Sequence, residues 1–282
     1  MTLYYKKQIS YILAAAMFAV PALTLAESNT TSTLALTNST SSTATEDIDT
    51  LRAQLNALLN PKDEMGFISN EEKNARELKL RHKILIGSIA LSYIEIDQLA
   101  NRLNALVELN AKEQEKKEAY LEKLVGYLNY HDVIREKVNN LSNETLNVEN
   151  IKTAAKELLD WRRDFYISPM KEMSAFILTI KQPAVLKISL ERHEKIASDL
   201  RKLSQGGYIN QEQLFELTQL LNKARELLSE AQAMNNDAYN VLFTEENKTG
   251  LDELARSSLE NIKSAYAIFM EMSVKVKQIL SI

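Results

Sequence analysis

The sequence predicts an all-α fold, an elongated antiparallel bundle of long, coiled-coil-like helices. Three observations carry that reading. Glycine and proline are scarce, with six and four in 282 residues, well below the combined frequency of about 12% in average chains. Apolar residues recur every seven positions, with a second series four residues on, which is the seam of helices packed along their length. No run alternates apolar and polar residues long enough to suggest a sheet.

The N-terminus reads as a leader. Lys6 and Lys7 precede an uncharged apolar run over residues 9–26, and Pro21, Thr24 and Ala26 supply a cleavage site before Glu27. That order of charge, apolar core and small residues marks residues 1–26 as a secretory signal peptide. The alternative is an uncleaved anchor, because an apolar run of 18 residues just reaches spanning length; Pro21 and the alanines weigh against it. The chain has no cysteine. This excludes a lipoprotein anchor, disulfides, thiolate metal sites and cysteine nucleophiles.

Residues 27–45 form a Ser/Thr-rich linker: twelve of the 18 residues in 28–45 are Ser or Thr, and none is charged. Such a stretch cannot bury enough apolar surface to offset its ordering entropy, so it is expected to be disordered. Beyond it, residues 46–282 read as one all-helical domain. Without residues 1–26, which hold only Lys6 and Lys7, the chain keeps 32 basic and 38 acidic residues. Both signs are interspersed and no basic stripe exists, so nucleic acid is not an expected partner.

A short helix covers 46–59 and stops at Asn60-Pro61, since proline disfavours helix in the residue before it. Ser69 with Glu72 forms a capping box that opens a second helix. Leu78, Leu85, Leu99, Leu106, Tyr120, Tyr127, Ile134 and Leu141 hold one heptad phase, which predicts a single continuous helix over 69–141. Its seam turns polar at Asn110, Glu113 and Lys117, but residues 111–119 are strong helix formers; a hairpin at 112–118 is the alternative. If the helix is continuous, these three residues mark a hydrated groove that a partner helix enters.

Turn-forming residues at 139–147 lead to a third helix that reaches Leu203. Pro169 and Pro183 are expected to kink it, or to restart it with Ser168 as N-cap. Gly206-Gly207 ends it, and Asn210 with Gln213 caps the next. In that fourth helix the expected seam is Leu217, Leu220, Ala224, Leu227, Ala231, Met234, Ala238 and Val241. Alanine at every second seam position predicts a closely approaching antiparallel neighbour. Thr249-Gly250 breaks the phase, and a last helix carries Leu259, Ile262, Tyr266, Phe269, Val276 and Leu280.

Residues that could carry chemistry are few. His82, His131 and His193 lie on or beside apolar seams, and none has the Glu-x-x-His spacing of inward-facing metal ligands. A seam histidine that charges between pH 5 and 8 would loosen packing in acid. The segment 160–166 is the densest aromatic and basic cluster and holds the only tryptophan. Trp161, Arg162, Arg163 and Tyr166 are therefore partner-binding candidates beside Asn110, Glu113 and Lys117, with Trp161 and Phe165 expected on one face. The methionine pairs 170/173 and 270/272 read as core filler rather than soft-metal ligands.

Catalytic, cofactor and metal sites are not expected, for want of a Gly-rich phosphate loop, a nucleophile motif or paired carboxylates distinguishable from surface ion pairs. No small-molecule substrate is identifiable. These features predict a non-enzymatic interaction or spacer protein of a bacterial cell envelope, periplasmic, surface-held or secreted, with protein partners and peripheral membrane or cell-wall contact. The alternative is an α-helical pore-forming or membrane-remodelling protein, suggested by the apolar segments 84–96 and 174–188. A ligand-sensing bundle ranks third, since no signalling domain follows.

Overall fold

A computed structural model of the chain describes residues 70–141, 147–244 and 248–280, together with Thr50 and Ala53, both helical. The leader, the Ser/Thr linker, the rest of the 46–59 helix and Ser69 lie outside the described residues. Among the described residues every regular element is helical: α1 Asn70–Asn104, α2 Ala111–Asn139, α3 Val148–Trp161, a π-turn Arg162–Tyr166, α4 Ile167–Gln205, α5 Gln211–Phe243 and α6 Leu251–Leu280. The all-α fold is thus established. They gather into two compact units that part between Met173 and Ser174.

The continuous second helix is the main correction. α1 ends at Asn104, and α2 begins only at Ala111. The intervening turn includes Glu108 at φ 57, a left-handed conformation that costs an L-residue about 1–2 kcal/mol. Asn110 is the N-cap of α2: its side chain accepts the Glu113 amide at 3.0 Å, while its own amide donates to the Glu113 carboxylate at 2.8 Å. Lys117 Nζ donates to the Leu106 carbonyl of the turn at 3.1 Å and to the Asn104 carbonyl at the end of α1 at 3.4 Å, where a helix leaves its last carbonyls without helical partners. The three polar residues interrupt the seam because the helix stops there. Leu106 keeps the heptad phase and is buried inside the turn, so the phase runs on across a break in the backbone.

Within the first unit α1 and α2 are antiparallel. Tyr93 pairs with Asp132 at 2.5 Å, and farther back His82 meets the Val138 carbonyl at 3.4 Å. α3 returns antiparallel to α2, its N-terminal cap formed by Asn147 accepting the Asn150 amide. Lys137 pairs with Glu157, and at the far end of α2 Lys116 and Tyr120 both reach Glu172, at 3.5 and 2.7 Å. Leu85, Ile89, Ile134, Val138, Ile151, Ala154 and Leu158 fill the space between the three helices. Each Leu, Ile or Val among them contributes about 1.5–3 kcal/mol relative to exposure.

Neither proline restarts the third helix. Pro183 sits inside α4, and Pro169 follows the π-turn. α4 ends as the two glycines require: Gly207 takes φ +68, and Tyr208 N donates back to Leu203 O at 2.9 Å, the bond that closes a Schellman cap.

In the second unit the Asn210–Gln213 capping box is present. Leu217, Ala224, Ala231 and Ala238 are buried as expected, but the interleaving positions are Leu221, Leu228, Asn235 and Leu242, each one residue past the expected series. Leu220, Leu227, Met234 and Val241 are half-buried, so the apolar stripe is wider than a narrow coiled-coil seam. α6 runs antiparallel to α5: Ser258 and Asn261 face Ala231 and Glu230, whereas Lys275 pairs with Glu216. The Ser258 hydroxyl donates 2.7 Å to the Ala231 carbonyl, a contact possible only because Ala231, Ala255 and Ser258 leave the backbones close. α4 adds Leu186, Ile196, Leu200 and Leu203 to this core.

Candidate functional site

The aromatic cluster at the end of α3 is built around a missing amide. Pro169 has no N–H to offer the carbonyl four residues back, that of Phe165. The backbone widens just before it into the π-turn, with Ile167 N donating to Arg162 O. The Phe165 carbonyl accepts instead from the Tyr127 hydroxyl, at 2.8 Å from α2. A π-turn spaces residues on one face five apart, not four. Trp161 therefore shares its face with Tyr166, ring centroids 5.5 Å apart, and Phe165 is turned outward and 61% exposed. The expected Trp161–Phe165 face is corrected accordingly.

Beneath this turn the rings form a layer. Trp161 stacks on Tyr130 at 4.0 Å and meets Tyr127 edge-on at 5.4 Å. His131, fully buried, lies 5.1 Å from the Trp161 ring and 5.8 Å from both Tyr93 and Tyr166. Its Nδ1 is 2.7 Å from the Tyr127 carbonyl. Burial, the largest influence, holds the His131 pKa below the ordinary histidine range.

α1 closes the layer through ionic and polar groups. Arg162 donates to the buried Ser92 hydroxyl and pairs with Glu95 at 3.2 Å, its guanidinium 4.8 Å above the Tyr166 ring. The Tyr166 hydroxyl also donates to Glu95, at 3.0 Å. Burial and the Glu95 carboxylate push the Tyr166 pKa up, and burial with the Asp132 bond raises Tyr93 to about 12. All three phenols of the layer that bond acceptors therefore stay protonated at neutral pH and act as donors.

The partner-binding candidates thus separate. Trp161 and Arg162 are half-buried and Tyr166 is buried, so these three hold α1, α2 and α3 together. Arg163 faces solvent, pairing with Asp160 at 3.1 Å and Asp164 at 2.7 Å, and Phe165, Leu159 and Ile167 are exposed as well. Asn110 caps α2, while Glu113 and Lys117 lie in its first two turns, away from the cluster in sequence and bonded to the cap and to the preceding turn. The sequence pattern marks Tyr127 only as a seam residue and does not single out Ser92 or Glu95. Ser92 carried a signal, a lone serine in heptad phase between Leu85 and Leu99. Among the described residues no group of His, Asp and Glu is placed to hold a metal ion. No family model, curated protein or solved structure matches the chain.

Proposed function

We propose that the chain is an exported, non-enzymatic interaction or spacer protein of a bacterial cell envelope, and that it contacts a protein partner through the outer surface of the π-turn. The observation that carries this reading is Phe165, 61% exposed on a π-turn whose backbone the aromatic layer holds through Tyr127. Arg163, two residues earlier in sequence, is also exposed, as are Leu159 and Ile167 on either side in sequence. An aromatic and an arginine on a rigid support are the residue types that dominate binding energy at interfaces, and rigidity lowers the ordering cost of association. The leader and the Ser/Thr tether support an exported location. A partner fitting this surface offers an apolar pocket for Phe165.

The test is a photo-crosslinking side chain placed at position 165 in producing cells, with position 215 as control, because Phe215 is equally exposed on α5. The reading expects a discrete envelope adduct from position 165 that Arg163→Glu weakens. Equal adducts from both positions, or none from 165, would remove the surface from consideration.

One observation favours the second reading, a pore-forming or membrane-remodelling protein. The helical stretch Val148–Gln205 contains a window long and apolar enough to cross a membrane, with mean hydropathy 1.2, and half of that window is buried. Dye release from anionic liposomes separates the two, since a spacer releases none.

A further inference from the structure

We infer that His131 is an acid-operated latch on the first unit: a proton taken up at its Nε2 loosens the aromatic layer that braces the π-turn. The inference stands whether or not Phe165 meets a partner.

The tautomer follows from the hydrogen bond. The Tyr127 carbonyl is an acceptor only, so at 2.7 Å the His131 Nδ1 must carry the hydrogen. The neutral ring then has a bare lone pair at Nε2, and no protein group among the described residues hydrogen-bonds to it. A second proton would place a new N–H donor and a full charge inside a wall of rings, without an acceptor. Unpartnered buried charge is strongly unfavourable.

The surroundings on every side bear this out. From α1 come Tyr93 and Glu95; from α2 itself Tyr127, Tyr130 and Asp132; from α3 and the π-turn Trp161, Arg162 and Tyr166. Arg162 opposes a charge on His131, whereas Glu95 and Asp132 favour it. Both carboxylates are already engaged, Glu95 by Arg162 and Tyr166, and Asp132 by Tyr93 and Arg135. The ring faces attract a cation modestly, but loss of hydration is the largest influence, and the net direction is a lowered pKa.

That direction fixes the pH window. The unfolded chain binds the proton first, near the ordinary histidine value of about 6.5. Stability is therefore full above this value and declines as pH falls below it, until the folded state is also protonated. For one proton the unfolding equilibrium constant rises by up to about tenfold per pH unit. Tyr127 transmits the effect: its carbonyl holds His131, and its hydroxyl holds the Phe165 carbonyl.

Trp161 is the only tryptophan and touches the latch, so its emission reports this unit. Urea unfolding of the full chain, followed by that emission between about pH 8 and 5, should show the added steepness below about 6.5 in the wild type. His131→Gln should flatten that slope, and His82→Gln, on the same unit, should retain it. Should His131→Gln fail to fold, imidazole NMR of the wild type decides: the His131 ring titrating below 6.5, in step with Trp161 emission, supports the latch. A ring titrating at or above that value, or an unchanged slope in His131→Gln, overturns it.

Discussion

Replacing Ala231 with leucine adds an isopropyl group where the structure leaves no room for one. Ala231 is fully buried, and Ser258 Oγ lies 2.7 Å from its backbone carbonyl, so a side chain of α6 already rests on the backbone of α5. Ala255 and Ser258 on the facing side have no solvent exposure. The added group must push α6 outward, break the Ser258 bond and part the Leu228 and Ile262 contacts of the core. Overpacking of this kind costs about 1–3 kcal/mol. In a unit of about 100 residues that lowers the melting temperature by on the order of 5–20 °C. Far-UV circular dichroism of the full chain measures it, with Ser229→Leu as control: Ser229 is exposed on the same helix, its hydroxyl bonding back to Arg225, and should change little. Ala238→Leu, also fully buried, should behave as Ala231→Leu does. An unchanged melting temperature in both alanine variants would refute the close α5–α6 approach.

Two further substitutions probe the first unit. Tyr127→Phe strands the Phe165 carbonyl, since Pro169 has no amide for it, and should cost about 1–3 kcal/mol in urea unfolding. Adding Pro169→Ala restores an amide and should recover most of that loss; an additive double mutant would contradict the shared carbonyl. Asn110→Ala removes the α2 cap and should cost about 0.5–2 kcal/mol, whereas a residue in mid-helix would gain stability from the same change.

Where local signals agreed with the tertiary structure, the sequence was readable. Gly206-Gly207, Asn210–Gln213 and the alanine series on α5 each name a cap or a close contact whose chemistry is local. The break at 105–110 was hidden for three physical reasons. No glycine marks its left-handed residue, which is Glu108. The helix formers after it begin α2 rather than continue α1. Leu106 keeps the heptad phase within the turn. One signal was nevertheless present: Asn110 and Glu113 have the same spacing as Asn210 and Gln213. The π-turn was less legible, because Pro169 announces only that an amide is missing. Whether the backbone kinks, restarts or widens depends on who satisfies the carbonyl, and that donor, Tyr127, lies 38 residues away. Trp161 and Tyr166 consequently turned inward and Phe165 outward.

The aromatic layer, the latch and the exposed Phe165 all depend on α1 folding back over α2, so that Ser92 and Glu95 can grip Arg162. The chain has no native cysteine, so cysteines at Ala90 and Arg135, both exposed, accept spin labels without competition. Pulsed dipolar spectroscopy on the doubly labelled full chain then measures the fold directly. Helices packed about 8–10 Å apart predict a narrow distribution within roughly 25 Å once label length is included. A continuous helix would separate the same two positions by about 65–70 Å, and a distribution centred there would contradict the hairpin and everything built on it.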